Sequence, residues 1–240
     1  MAKKEIDNTE ESFANVEEAI GKTEQFVENN KNILSYSVLG LFAIVLLIMG
    51  YNKYIRIPNQ EEAYSSIWHA EQYFDNDNFN FALNGIDDKP GFLEIIDNYG
   101  STPSGNLARY YAGICYFKMA QADTSGMKEE YFEDAINYLG DFESEDVNVK
   151  PMSIGVIGDC EMELGNQKEA AEKYMEAAHL QDNNFISPMM LKKAGMTYHI
   201  LGEHQKALDA FNEIKEKYYR SAEGNEIKKY IAREEALLGR

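Results

Sequence analysis

Hydrophobic residues along this chain follow two unlike patterns. Between Lys31 and Lys53 they form a block, NILSYSVLGLFAIVLLIMGYN, of 21 residues without a charge. From Gln60 onward they recur three or four positions apart and are broken by short polar turns, which predicts a succession of amphipathic helices. The block predicts one helix of another kind. At ~1.5 Å per residue it spans the ~30 Å hydrocarbon layer of a bilayer. Tyr36, Tyr51 and Tyr54 stand near its ends, where amphipathic rings favour the headgroup level. Val38–Met49 has no amphipathic gap, which argues against a buried core helix.

Residues 1–31 form an acidic tail ahead of the block. Phe13, Val16, Ile20 and Val27 share one helical face, so a segment of the tail is expected to be an amphipathic helix. Its acidic opposite face disfavours the basic type that lies in a membrane surface. The tail is too long and too acidic for the start of a cleaved signal peptide, and no A-x-A site follows the apolar run. Residues 32–56 therefore read as an uncleaved transmembrane signal-anchor. Lys22 and Lys31 on one side balance Lys53 and Arg56 on the other. Lys3 and Lys4 tilt the balance toward a cytoplasmic N-terminus, and charge alone leaves the topology open.

The helical region repeats itself. GDCEMELGNQKEAAEKY at 158–174 and GMTYHILGEHQKALDAF at 195–211 align at a 37-residue offset, with Gly158 on Gly195, Leu164-Gly165 on Leu201-Gly202, Ala170 on Ala207 and Tyr174 on Phe211. Gly165 and Gly202 suit helix C-termini. Thr102-Pro103 and Ser187-Pro188 read as N-caps with proline at the first helical position. This spacing resembles the tetratricopeptide pattern. Repeats are expected near 61–98, 106–142, 151–184 and 188–221, with a capping helix at 223–238. In the second of these, QADTSGMKEEYFED makes the turn roughly ten residues too long. The fold class expected is all-α: a single N-terminal transmembrane helix followed by a tetratricopeptide-like solenoid, a form that usually binds proteins along its concave side.

Composition narrows the function further. A formal charge of −18 argues against nucleic acid as a partner, since phosphates need a clustered Lys/Arg face. Cys115 and Cys160 occupy one position of successive repeats. They are expected to be half-buried and too far apart for a disulfide. His69, His179, His199 and His204 show no ligand spacing with a neighbour. Asp75-Asn-Asp77-Asn resembles the start of a calcium loop, but Phe79 and Ile86 stand where oxygen ligands belong. No phosphate loop, dinucleotide fingerprint or nucleophile elbow occurs. No catalytic, cofactor or metal site is expected, no small-molecule substrate either, and the chain does not read as an enzyme.

Register places Tyr110, Phe117, Met152, Met162, Met189, Met196 and His199 on the inner helices. Four of the ten methionines thus fall on the expected groove. Two readings remain open. They line a groove for an apolar segment, or they fill gaps between helices.

The flanks of the apolar block carry a closer likeness. TEQFVENNKNIL before it and YNKYIRIPNQEEAYSSIWHAEQYF after it resemble the YfgM-like ancillary subunits of the bacterial SecYEG translocon. The resemblance implies a single-pass inner-membrane protein with periplasmic repeats. It would work beside SecYEG and a membrane-anchored prolyl isomerase-like chaperone. The alternative is a cytoplasm-facing scaffold that tethers a soluble complex to the membrane.

Overall fold

The computed structural model describes the backbone from Ala2 to Arg240 and side chains from Glu24 onward. Phe13, Val16 and Ile20 of the expected amphipathic face lie outside the described side chains. The chain divides into two compact units, Met1–Pro58 and Asn59–Arg240.

The first unit is helix α1 (Ala2–Tyr51) followed by a π-helical turn, Asn52–Arg56, which carries Lys53 and Arg56. From Glu24 the helix is long and apolar enough to cross a membrane, and no protein covers its apolar stretch. Leu39, Phe42 and Leu47 are all exposed.

The second unit is built from α2 (Ile57–Asp75), α3 (Phe79–Asn84), α4 (Phe92–Tyr99), α5 (Pro103–Ala122), α6 (Lys128–Gly140), α7 (Val149–Glu163), α8 (Gln167–Leu180), α9 (Ile186–Ile200), α10 (His204–Lys217) and α11 (Ala222–Leu237). From α4 onward each helix packs on the next. In addition α5 touches α7, α7 touches α9, and α9 touches α11. Helices α5, α7, α9 and α11 therefore form one continuous row, and α6, α8 and α10 cover it. This is the tetratricopeptide-like, all-α architecture of stacked hairpins.

Local chemistry explains the two regular hairpins, α7–α8 and α9–α10. Gly165 and Gly202 take φ of +83° and +73°, a left-handed conformation open to residues without a side chain. The amides then turn back on the helix end. Asn166 N–H donates to Glu161 C=O at 2.8 Å and Gly165 N–H to Met162 C=O at 3.2 Å. Glu203 and Gly202 repeat both bonds to Tyr198 and His199. Across each hairpin an aromatic ring lies on a glycine. A Cβ at Gly158 would stand 2.7 Å from Tyr174 Cε1, and one at Gly195 only 2.4 Å from Phe211 Cε1. The matched Gly and Tyr/Phe positions of the sequence echo are thus one contact made twice. Ala170 and Ala207 are fully buried at the same crossings.

Polar contacts join successive hairpins. Lys193 Nζ meets Asp159 at 2.7 Å, His179 Nε2 meets Glu213 at 3.0 Å, and Tyr218 OH donates to Asp182 at 2.8 Å. Asn183 Nδ2 donates to Asn148 Oδ1 at 2.8 Å. These partners are 34–36 residues apart, slightly less than the 37-residue offset of the echo, so each contact reaches from one hairpin to the next.

Three local expectations are corrected. The turn within 121–134 is short, Asp123–Met127, because α5 runs on to Ala122 and α6 begins at Lys128. The surplus residues are good helix formers and lengthen the helices, while Asp123 accepts from the amides of Ser125, Gly126 and Met127 and closes the turn. Thr102 does cap α5, with its Oγ accepting from Gly105 N–H at 3.0 Å. Ser187-Pro188 does not start α9. Asn183 Oδ1 accepts from Phe185 and Ile186 first, and the helix opens at Ile186. Finally, Cys115 and Cys160 are fully buried rather than half-buried.

Candidate functional site

The seven groove candidates all lie on the row α5, α7 and α9, but the structure gives them different surroundings. Tyr110 sets its ring 5.2 Å from Phe142, and Phe117 lies 6.0 Å from Phe132. Both are half-buried partners of the covering layer. Met152, Met162 and Met189 are half-buried and pack against the core of α7–α11. Thr197 Oγ also lies 3.7 Å from Met162 Sδ. Met196 alone of these methionines is open to solvent, with 42% of its surface exposed. One turn further along α9, Ile200 is exposed as well. The two form an apolar pair on one helical face.

His199 instead pairs with a carboxylate. At the last turn of α9, its Nδ1 lies 2.9 Å from Glu234 Oε1. His204, the first residue of α10, places its own Nδ1 2.8 Å from Glu234 Oε2. Arg233 Nε donates to Glu234 Oε1 at 2.8 Å. The Leu201–Glu203 turn brings the two imidazoles to 5.7 Å between ring centres, and α11 supplies the carboxylate. Glu234 is fully buried, whereas the two histidine side chains keep about 30% exposure. Burial alone would raise the Glu234 carboxyl. Hydrogen bonds from His204, Arg233 and His199 outweigh it and hold the group below the ordinary carboxylate range. Spacing along the chain does not reveal this cluster, because His204 and Glu234 are 30 residues apart. The signal that could have found it is the 34–36-residue spacing of the contacts between hairpins, since His199 and Glu234 are 35 residues apart.

Nucleophilic chemistry has no support at the cysteines. Burial pushes both thiols up to about 12, far from the thiolate form that reacts. Tyr174, Asp159 and Lys193 form a second polar cluster. Tyr174 OH donates to Asp159 Oδ1 at 2.7 Å, and Lys193 Nζ stands 5.3 Å over the tyrosine ring. Burial, followed by the Asp159 carboxylate, pushes the Tyr174 hydroxyl upward and keeps it a proton donor. It joins α7, α8 and α9.

No protein family matches the chain. No curated protein matches it either. Among solved structures, seven chains match in fold. One is a crystal structure from Podosopora anserina, a variant of a candidate kinesin light chain described as nearly identical TPR-like repeats. It is 14% identical, with 75% of this chain and 88% of that chain covered at a TM-score of 0.48. The assignment to tetratricopeptide-like hairpins rests on the turns, the glycine–ring contacts and the helix rows themselves.

Proposed function

We propose that this chain is a membrane-anchored protein–protein interaction module, with a tail at 1–31, a signal-anchor at 32–56 and a binding domain at 61–240. The observation that carries this reading is the exposed pair Met196 and Ile200 on α9. Two large apolar side chains left in water on the inner row are suited to a partner's apolar segment. Replacing both with Asp should abolish partner binding while circular dichroism stays helical. Unchanged binding would remove this face from consideration.

The partner follows from the resemblance around the apolar block. It points to the SecYEG translocon and a membrane-anchored prolyl isomerase-like chaperone, with the repeats in the periplasm of a bacterial cell and the N-terminus in the cytoplasm. Anchoring would raise the local concentration of the repeats at the membrane, so that weak contacts suffice. Crosslinking in native membranes with mass spectrometry should recover translocon subunits. Recovery of soluble cytoplasmic proteins alone would overturn it.

One observation favours keeping a cytoplasm-facing scaffold as the second reading. The basic residues flanking the block are balanced, Lys22 and Lys31 against Lys53 and Arg56. Protease digestion of spheroplasts bearing a C-terminal tag separates the two. The periplasmic reading requires the tag to be cut from outside.

A further inference from the structure

We propose that His199, His204 and Glu234 form a binding site for a divalent transition-metal ion of the zinc type, which fastens the last hairpin to the C-terminal helix. Three helices each supply one ligand, and their ligating atoms all lie within 4.8 Å of one another. Among the described residues no other three His, Cys, Asp or Glu side chains meet this closely.

The geometry is near what a metal requires. With Zn–N and Zn–O bonds of about 2.0–2.2 Å, neighbouring atoms of a tetrahedral centre stand roughly 3.3–3.4 Å apart. From Glu234 Oε2 the two Nδ1 atoms stand 3.2 and 2.8 Å away, so the His204 separation opens by about half an ångström and the His199 one hardly changes. The widest separation in the set closes by at most about 1.5 Å. Small rotations of the two part-exposed imidazoles supply both movements. Glu234 is locked by burial and by Arg233 on Oε1, which leaves Oε2 and its remaining lone pairs for the ion.

The protons balance. The tautomer to start from is the neutral imidazole that donates Nδ1–H to the carboxylate. On binding, that proton passes through solvent to Nε2, and the freed Nδ1 lone pair takes the metal. The part-exposed side of the cluster gives the ion a way in and leaves its fourth position to water. Two imidazoles with one carboxylate favour zinc, cobalt, nickel or copper over magnesium and calcium, which prefer all-oxygen sites.

An ion that binds only the folded form stabilises it by mass action. The full chain, stripped of metal and kept in detergent, should bind one Zn2+ by calorimetry. At a hundredfold excess over its dissociation constant, zinc should raise the melting temperature by roughly 5–10 °C. Magnesium should do neither. Glu234→Gln leaves a buried site under-satisfied and can unfold the cap, so the deciding variants are His199→Gln and His204→Gln. Each should remain folded and lose the zinc-dependent rise. Co2+ should give visible d–d absorption in the parent chain and lose it in the double variant. No rise in the parent chain, or equal zinc binding by the double variant, overturns the proposal.

Discussion

The regular hairpins α7–α10 and the leading helices α2–α5 bury their aromatic rings by different means. The regular hairpins reuse a single device, a ring laid on a glycine across the crossing, Tyr174 on Gly158 and Phe211 on Gly195. In the leading helices the rings pack on each other. Phe92 stacks on Tyr111 at 5.1 Å, and Phe74 meets the face of Tyr111 at 5.0 Å. A ring on a glycine fixes the distance between two helices, so it can be copied along a solenoid. A ring cluster fits only its own surroundings. The regular half is therefore periodic in sequence, and the leading half is only recognisable by its helical spacing.

The largest test removes the ring. Phe211→Ala deletes a fully buried side chain above a glycine that cannot fill the gap, and should cost about 3–5 kcal/mol. Because each hairpin touches only its neighbours, the loss should stay local. Trp68, the one tryptophan, lies on α2 and reports the leading half. In urea, circular dichroism of Phe211→Ala should fall before the Trp68 fluorescence changes. Coincident transitions would mean that both halves unfold as one. Phe92→Ala should reverse the order.

A smaller effect comes from filling the glycine. Gly195→Ala drives a Cβ against the Phe211 ring, and Gly158→Ala does the same at Tyr174. Each should cost about 1–3 kcal/mol by denaturant midpoint. Gly140, at the end of α6, has nothing within 4 Å of its would-be Cβ. Gly140→Ala should be neutral or gain a few tenths of a kcal/mol. If all three behaved alike, close packing at the crossing would not be the reason for Gly158 and Gly195.

What is legible in this sequence is what local chemistry decides. The all-α class, the glycine turns at 165 and 202 and the Thr102 cap each depend on a few adjacent residues. Reading fails where neighbours compete. Asn183 caps α9 ahead of Ser187, and helix-forming residues absorb the surplus length around Asp123–Met127. It also fails where helices from different repeats meet. Whether a methionine on the inner row is packed or open depends on the adjacent helix, which sequence register does not encode, and so Met162 and Met196 differ. The His199–His204–Glu234 cluster needs the capping helix in place before its members meet.

Making the two hairpins more alike should cost less. Tyr174 stands where the next hairpin has Phe211, and its hydroxyl donates to Asp159. Tyr174→Phe removes that bond while Asp159 keeps Lys193. The loss should be about 0.5–1.5 kcal/mol, with the ring–glycine contact intact. A loss as large as that of Phe211→Ala would show that the polar cluster, not the ring, holds the crossing.

The smallest effect concerns the rungs between hairpins. Burial would raise the Glu213 carboxyl, but Lys217 on its own helix and His179 from α8 outweigh it and hold it below the ordinary 4.5. A carboxyl depressed in the folded state contributes stability above its ordinary value and loses it as pH falls through the folded value. Both partners are largely exposed, so the contribution should stay below about 1 kcal/mol. Denaturant midpoints at pH 7 and at successive steps below pH 4.5 should show the parent chain losing slightly more stability than Glu213→Gln, and the difference should shrink in high salt. An identical acid limb in the two proteins would mean that this rung orients the hairpins without stabilising them, and that the period is held by the glycine–ring crossings alone.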